Sequence, residues 1–593
     1  MNQKSDPSGD LAPEWPRAEA RDKGGVNTAR GRTLMLSCMF IAGFSFLSAR
    51  AVQIGLFRSV DEAATAARAD ASPPSKRADI VDRNGQLLAT SLVAHSLYAD
   101  PKRIWDPVET AKALRTIFPE LNEAELVAKL SSKSRFEWLK RRLTPKQKQA
   151  VWALAQPGLE FVEEADRVYP MGRLAGHVLG SMQPNGKGIN GVERAMDDRL
   201  MTGDGATPLK LSIDSRVQYL VETELAREAS SQRAIGGAGI IMDVRTGEII
   251  ASASWPFMDP NKPETNSPNE QNNRVTNSRY EMGSTFKVFT VAIGLEDKVI
   301  TPDTLFDARA PMKIGDETIH DFHGQNKMLS VVEILSHSSN IGTVRIARSV
   351  GATRVKEFFH RVGLMDAAGG ELLESARPLL PRRWSDISAA TASFGHGIAV
   401  SPMAVAAAYG AISNGGNYVR PTFVARDEGS PVSSRQVLSN ETSKTIVGLM
   451  RRVVTEGTGR RADALGYLVA GKTGTGEKAG PNGYDANRRV SSFAGIFPAN
   501  EPRYSILILL DEPKGSADTG GVATAGLTAA PSVARIIERA APLLGVAPTR
   551  TLALADVPSL VSGLVVPTQS SRAKGPAAPQ SNPRSQNATL EAQ

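Results

Sequence analysis

The sequence predicts an α+β fold in which an antiparallel sheet is flanked by helices. Residues Gly239–Ser252 indicate two strands joined by a turn at Arg245–Gly247. Further apolar segments indicate strands at Leu468–Lys472, Ser492–Pro498 and Tyr504–Leu510. Between these two sets of strands the chain is rich in alanine, for example over residues 402–409, which indicates a helical subdomain.

Length and composition bound the possible functions. The chain has 593 residues, of which 41% are hydrophobic, enough for two or three domains with a large core. Its 70 Lys and Arg residues exceed its 62 Asp and Glu residues only slightly and are spread widely, which argues against nucleic-acid binding. Cys38 is the one cysteine, so no intrachain disulfide can form.

The N-terminal region predicts a membrane anchor. Residues 1–32 are polar and rich in Pro, Gly and charge, which is typical of a disordered tail. Thr33–Ala49 carries no charge, and the span extends to residue 57 if Arg50 reaches the lipid headgroups. The charges that lead directly into it are positive, which favours a cytoplasmic N-terminus.

A cleaved signal peptide and a buried soluble helix are the alternatives for this segment. Ser48-Ala49-Arg50 places Arg where cleavage requires a small residue. We therefore interpret residues 33–57 as an uncleaved transmembrane anchor.

The segment Gly283-Ser284-Thr285-Phe286-Lys287 predicts a nucleophile and its base. The apolar residues that follow indicate a helix beginning near Ser284, where the helix dipole favours developing negative charge. On that helix, Ser284 and Lys287 would face the same way. A neutral lysine could then remove the serine proton. An exposed helix start capped by Ser284 is the alternative for this motif alone.

Two downstream motifs complete a known set. Ser338-Ser339-Asn340 and Lys472-Thr473-Gly474-Thr475 follow the Ser-x-x-Lys segment in order. Together they resemble the signature of penicillin-binding proteins and class A β-lactamases.

Motifs nearer the N-terminus narrow this resemblance. Residues 77–89 (RADIVDRNGQLLA), with a hairpin signal at Asn84-Gly85, resemble the opening motif of class B penicillin-binding proteins, in which Gly usually stands in place of Ala78. Residues 167–170, 175–180 and 188–193 fit the same family's non-catalytic module. We find no glycosyltransferase motif, and Ser338-Ser339-Asn340 is similar to the division-specific branch.

The resemblance implies a β-lactamase-like transpeptidase fold carried on an elongated pedestal. The expected order is a tail (1–32), an anchor (33–57), a pedestal or dimerisation-type domain (58–208), a transpeptidase domain (209–545) and a second disordered tail (546–593).

The resemblance also implies a role for each motif residue in peptidoglycan D,D-transpeptidation. Ser284 would attack the carbonyl between two terminal D-alanines, with Lys287 as its base. The backbone N–H groups of Ser284 and Thr475 would stabilise the oxyanion, and Ser338 would relay a proton to the departing amine. Asn340 would position Lys287 and the substrate amide. Lys472 would supply positive charge, Thr473 and Thr475 would bind the substrate carboxylate, and Gly474 would let the substrate lie along the strand edge.

The implied partners are donor and acceptor stem peptides, β-lactams as covalent inhibitors, a septal glycosyltransferase of the SEDS type and other division proteins. No cofactor, metal or nucleic acid is expected. The implied location is the inner membrane, with a single span, a cytoplasmic N-terminus and a periplasmic catalytic domain. Two alternatives stay open: a membrane-anchored protein that hydrolyses or senses β-lactams, and a catalytically silent division scaffold.

Overall fold

The computed structural model describes residues 23–56, 77–202, 207–315, 317–480 and 483–549. Its helices are α1 (Lys23–Leu56), α2 (Pro107–Ile117), α3 (Glu123–Leu130), α4 (Pro145–Trp152), α5 (Gly176–Leu179), α6 (Gly191–Ala195), α7 (Asp197–Met201), α8 (Ser215–Ser231), α9 (Pro268–Gln271), α10 (Lys287–Glu296), α11 (Val331–His337), α12 (Asn340–Val350), α13 (Ala352–Arg361), α14 (Asp386–Ala392), α15 (Pro402–Ser413), α16 (Asn440–Thr455) and α17 (Ala529–Leu543).

Its strands are β1 (Ile80–Val81), β2 (Leu87–Ala99), β3 (Glu137–Leu143), β4 (Leu159–Val168), β5 (Leu209–Lys210), β6 (Gly236–Asp243), β7 (Ile249–Trp255), β8 (Leu305–Asp307), β9 (Met312–Ile314), β10 (Glu317–Ile319), β11 (Met328–Ser330), β12 (Asn417–Val419), β13 (Ser434–Gln436), β14 (Ala470–Gly480), β15 (Gly483–Phe497) and β16 (Tyr504–Asp511). Short 3-10 turns lie at Pro101–Arg103, Pro263–Thr265, Gly283–Phe286, Arg460–Ala462 and Ala517–Thr519.

The N-terminal helix α1 contains the predicted anchor. Its window Gly31–Arg50 has a mean hydropathy of 1.5 and is long and apolar enough to cross a membrane, which fits a single-pass anchor. The helix begins at Lys23, so the predicted disordered tail is wrong for residues 23–32. No proline interrupts the chain there, and the helix continues toward the N-terminus. Residues 1–22 and residue 57 lie outside the described residues.

Contacts divide the chain into two compact units, which differ from the predicted domains. Among the described residues, the first comprises residues 23–56 and 94–163, and the second comprises residues 77–93 and 164–549 with the gaps given above. In the first unit, β2 pairs with β3 in antiparallel fashion, for example Tyr98 with Trp138. Its core contains Leu114, Phe118 and Leu139.

The predicted pedestal boundary at residue 208 is therefore not a boundary between these units. Residues 77–93 and 164–202 belong to the unit that holds the catalytic motifs. Glu193 accepts hydrogen bonds of 2.7 Å from Arg77 and Arg167, which join the two segments to each other. Asp82 accepts hydrogen bonds from the N–H and hydroxyl of Ser215 at the start of α8. The predicted hairpin at Asn84-Gly85 joins β1 to β2.

An antiparallel sheet of order β14-β15-β16-β6-β7 forms the frame of the second unit, as predicted. Helices α8 and α17 pack against it in one apolar cluster, which includes Leu225, Ile508 and Val533. Helices α10, α15 and α16 contribute to a second, larger cluster with Phe289, Tyr409 and Leu507. Since β14 lies at the edge of the sheet, its Lys472–Thr475 segment borders a groove instead of another strand.

The C-terminal boundary also lies later than predicted. Val546 is buried, and the N–H of Thr549 donates to the carbonyl of Gly466. These contacts attach residues 546–549 to the folded unit. Residues 550–593 of the predicted tail lie outside the described residues.

Candidate active site

The predicted nucleophile lies on a 3-10 turn and not in the first turn of an α-helix. Gly283–Phe286 forms this turn, and α10 begins only at Lys287. Gly283 has φ +56°, and a Cβ there would lie 2.7 Å from the carbonyl oxygen of Thr475. The turn therefore packs directly on the end of the Lys-Thr-Gly-Thr segment, which brings the backbones of Ser284 and Thr475 together. Ser284 itself is half-buried and borders the groove.

Lys287 is fully buried, and its ammonium nitrogen contacts Ser338. Nζ donates to the backbone carbonyl of Ser338 and, at 3.1 Å, to its hydroxyl. Burial and the neighbouring Lys472 hold the pKa of Lys287 well below its usual range, while Asp321 opposes them. Within the described chain no hydrogen bond joins Lys287 to the Ser284 hydroxyl.

Lys472 approaches the same hydroxyl from the opposite motif. Its Nζ lies 3.0 Å from Ser338 Oγ and 3.1 Å from the carbonyl oxygen of Thr473. Lys472 is fully buried, and burial lowers its pKa to about 7. Two lysine nitrogens thus share one serine hydroxyl. Because like charges this close repel strongly in a low-dielectric site, the arrangement disfavours the state in which both lysines are protonated.

Ser338 owes its position to an uncommon backbone conformation. It ends α11 in the left-handed region with φ +61°, which L residues rarely adopt. Ser339 then caps α12 by accepting a hydrogen bond from the N–H of Gly342. The turn between the two helices therefore points Ser338 Oγ at both lysines.

Asn340 and Lys287 have different hydrogen-bond partners. The Asn340 side-chain N–H donates to the carbonyl of His320 at 2.8 Å, whereas Lys287 donates to Ser338. Asn340 borders the groove, and its role in positioning Lys287 and the substrate amide stays a prediction.

Glycine is required at position 474 for a different reason from the predicted one. A Cβ at Gly474 would lie 2.3 Å from the carbonyl oxygen of Met282 and 2.7 Å from Thr285 Cγ2. The missing side chain therefore admits the nucleophile turn, and the substrate-facing side of the strand is not what requires glycine.

The two threonines for which carboxylate binding is predicted border the groove. Thr473 Oγ1 lies 2.7 Å from the hydroxyl of Thr458. Thr475 Oγ1 accepts a hydrogen bond from the N–H of Ala525. Thr458 has no motif of its own in the sequence, and only its contact with Thr473 identifies it as part of the site.

These residues meet in one groove of about 840 Å³. Its lining includes the motif residues Ser284, Ser338, Asn340, Thr473 and Thr475, together with residues from outside the motifs, including His320, Asp321, Phe322, Phe394, His396, Thr458, Arg461, Arg489 and Leu527. The volume suits an extended peptide of a few residues.

One rim of the groove is a polar cluster around Glu281. The Tyr484 hydroxyl donates to the Glu281 carboxylate at 3.0 Å, and His396 Nδ1 lies 3.7 Å from it. Burial and the positive charge of Lys287 lower the pKa of His396. The imidazole packs against Phe394 and Tyr484, in agreement with a packing role for this histidine.

Asp321 is the second site residue that sequence reasoning missed. It accepts hydrogen bonds from Ser339, Asn340 and Ile341. Because it lies in a loop almost twenty residues before its partners, no local pattern marks it. Among the described residues, no group of three or more His, Cys, Asp or Glu side chains is placed to hold a metal.

Comparisons with known proteins identify the family of this chain. The family model described as penicillin binding protein transpeptidase domain matches residues 237–536, and the one described as penicillin-binding protein dimerisation domain matches residues 72–228. The chain belongs to the penicillin-binding protein transpeptidase family. This confirms the family predicted from the motifs.

Individual relatives extend over most of the chain. A probable peptidoglycan D,D-transpeptidase FtsI of Caulobacter vibrioides is 44% identical over 517 residues, covering 85% of each chain. The peptidoglycan D,D-transpeptidase FtsI of Escherichia coli is 30% identical, covering 76% of this chain and 82% of its own. The crystal structure of penicillin-binding protein 3 from Mycobacterium tuberculosis, complexed with ampicillin, has a TM-score of 0.65 at 24% identity, covering 81% of this chain and 98% of its own, and shows the same fold.

Proposed function

We propose that this chain is a serine D,D-transpeptidase that cross-links peptidoglycan stem peptides and releases the terminal D-alanine. The observation that supports this most is the Ser338 hydroxyl, which lies 3.1 Å from Lys287 Nζ and 3.0 Å from Lys472 Nζ beside a groove that exposes Ser284. This arrangement supplies a nucleophile, a base with a lowered pKa and a path for a proton.

In the first half-reaction, Ser284 Oγ attacks the carbonyl carbon between the two terminal D-alanines. Lys287, in its neutral form, accepts the hydroxyl proton. The N–H groups of Ser284 and Thr475 hold the oxyanion, because the 3-10 turn packs on the end of the Lys-Thr-Gly-Thr segment. The side chains of Lys287 and Ser284 must come closer than they are here, as catalytic hydrogen bonds often tighten only when substrate binds.

The leaving group needs a proton, and Ser338 is placed to deliver it. Its hydroxyl contacts Lys287, which carries the proton taken from Ser284. Ser338 passes a proton to the departing D-alanine amine and receives one from Lys287, so the ester on Ser284 forms as the peptide bond breaks. An acceptor amine then attacks the ester, loses its proton along the same path and regenerates Ser284.

Substrate orientation depends on the edge strand β14. In its protonated form, Lys472 attracts the terminal carboxylate electrostatically, while the hydroxyls of Thr473 and Thr475 donate hydrogen bonds to it. Thr458 fixes the Thr473 hydroxyl through their 2.7 Å contact. Gly474 has a different task, since it lets the nucleophile turn pack close to this strand.

The cellular setting follows from the anchor and the relatives. We infer a single span in the inner membrane with a cytoplasmic N-terminus, a periplasmic catalytic unit and a role at the division septum. The partners would be a SEDS-type glycosyltransferase and other division proteins, and β-lactams would be covalent inhibitors. Reporter fusions at each terminus of the full chain test the orientation: periplasmic activity of an N-terminal fusion would contradict it.

Intact-mass spectrometry after exposure of the solubilised full chain to benzylpenicillin tests the proposed activity. A persistent adduct that maps to Ser284 supports a transpeptidase. Rapid loss of the adduct with accumulation of hydrolysed drug supports a β-lactam-hydrolysing protein instead, and complete absence of an adduct supports a silent scaffold. Release of D-alanine from a stem pentapeptide, absent in Ser284→Ala, then tests the natural reaction.

A further inference from the structure

We propose that Asp321 is a positioning residue that fixes the Ser338 turn beside Lys287 and acts on this lysine through its carboxylate charge. This inference rests on the proposed function and goes beyond it, because Asp321 belongs to none of the three motifs and touches none of the reacting atoms.

The first support is geometric. Asp321 Oδ2 accepts a hydrogen bond of 2.7 Å from the Ser339 hydroxyl, and Oδ1 accepts bonds of 2.5 and 3.0 Å from the N–H groups of Asn340 and Ile341. The preceding carbonyl, of His320, accepts the side-chain N–H of Asn340. Two adjacent residues of one loop therefore hold the whole start of α12.

The second support is the backbone that this loop restrains. Ser338 precedes the restrained segment and has the left-handed conformation, which an L residue keeps only where its surroundings enforce it. Asp321 fixes the three residues that follow. If that anchor is released, Ser338 can relax to a commoner conformation and its hydroxyl moves away from Lys287 and Lys472.

The third support is the balance of charges around Lys287. Lys472 is the buried cation beside it, and His396 is the imidazole whose pKa Lys287 itself lowers. Asp321 is the acidic group whose charge raises the pKa of Lys287, opposite to the effect of Lys472. It therefore stabilises the protonated lysine, which the reaction needs once the Ser284 proton has been taken.

The charge of Asp321 determines the direction in which the pH profile of acylation should shift when this residue is changed. Acylation needs neutral Lys287, so its rate rises as pH passes upward through the pKa of this lysine. Removing the Asp321 charge lowers that pKa further, and the acid limb of the pH profile then moves to lower pH. A residue with a purely structural role would change the maximal rate or the stability but would leave the limb in place.

The test compares two substitutions of Asp321 in the full chain. Asp321→Asn keeps an oxygen for the two backbone N–H groups and removes the charge. Its acid limb for acylation by benzylpenicillin should move down by about 0.5 pH units, less than the shift from a charge in direct contact. Asp321→Ala removes the anchor as well, and its maximal rate should fall at least about tenfold, because small displacements of catalytic groups are costly.

Asp307→Asn is the matched control. It removes one half-buried carboxylate from β8, which is paired with Arg309, in the same part of the unit but outside the groove, and should leave the limb unmoved. Unfolding midpoints check that each variant folds. An unmoved limb in Asp321→Asn overturns the inference even if the parent acylates normally. Failure of the parent to acylate would instead count against the proposed function.

Discussion

Two clusters of buried positive charge in the catalytic unit have opposite surroundings. Near the N-terminal side of the unit, Arg77 and Arg167 are buried against the Glu193 carboxylate, whose side chain is 0% exposed. In the groove, Lys287 and Lys472 are equally buried, yet both contact a neutral hydroxyl, that of Ser338. A carboxylate between two guanidinium groups neutralises part of their buried charge. A hydroxyl between two amines carries no charge, so it does not neutralise the charge of either lysine.

The difference separates a buried cluster with a structural role from one with a chemical role. Arginine stays protonated at any working pH, so a buried arginine requires an anion and yields a fixed link between segments. Lysine can lose its proton when buried, so two lysines without a directly bonded anion yield a base. The paired cluster therefore joins residues 77–93 to residues 164–202, and the lysine pair supplies reactivity.

The largest expected effect comes from removing the nucleophile. Ser284→Ala should abolish acylation by labelled penicillin while the unfolding midpoint stays close to that of the parent, since the change removes one half-buried hydroxyl. The full chain is compared with the variant by gel fluorography and by thermal unfolding. Labelling of the variant would show that the lysine pair serves another nucleophile.

Lys287→Arg should have the next largest effect. It converts one member of the reactive pair into the kind of cation found in the structural cluster, and a guanidinium cannot accept the Ser284 proton. Acylation should slow by about 10²–10⁴-fold, the usual contribution of a general base. Lys478→Arg, which alters a lysine paired with Asp511 and Glu512 at 2.9 Å, should change the rate little. Similar rates for Lys287→Arg and the parent would contradict the assignment.

Glu193→Gln removes the anion of the structural cluster instead. Two buried guanidinium groups would lose their shared anion, which should cost about 3–5 kcal/mol in the free energy of unfolding. The molecules that remain folded should acylate normally. Glu501→Gln is the control, because Glu501 is exposed and its pair with Arg245 should contribute little to stability. Denaturant unfolding measured beside acylation separates the two effects; equal stability of both variants would mean that the cluster is not a structural link.

Asn340→Ala should have the smallest effect on rate. It removes a hydrogen bond to the His320 carbonyl, worth about 1 kcal/mol, while Asp321 continues to hold the backbone of the turn. Acylation measured at saturating penicillin should fall by no more than about tenfold. A loss as large as that of Lys287→Arg would mean that Asn340 acts on the lysine directly.

Sequence reasoning found the sheet, the groove motifs and their order, because these depend on local patterns of residues. It missed what depends on packing between distant segments. The 3-10 turn at Gly283–Phe286 exists because Gly283 and Gly474 let two backbones approach closely, and an i, i+3 spacing alone cannot reveal that. Asp321 and Thr458 were missed because each acts through a contact with a motif residue.

The unit boundaries show the same limit. The resemblance implies a domain boundary at residue 208, but Arg77, Arg167 and Glu193 are separated by up to 116 residues and meet only in the folded chain. Their pairing joins the early motifs to one another, and the bonds from Ser215 to Asp82 join these motifs to α8. No local signal distinguishes charges that pair in this way from charges on the surface.

The pH dependence of acylation in the unmodified full chain tests the central claim, that two buried lysines share one hydroxyl and that Lys287 therefore loses its proton well below the usual pKa of a lysine. The second-order rate constant with benzylpenicillin should rise through a pKa well below the ordinary lysine value of about 10.4. It should fall again as Lys472, whose pKa is about 7, loses the charge that attracts the drug's carboxylate. A rate that keeps increasing up to about pH 10 would contradict the claim, because Lys287 would then titrate as an ordinary lysine.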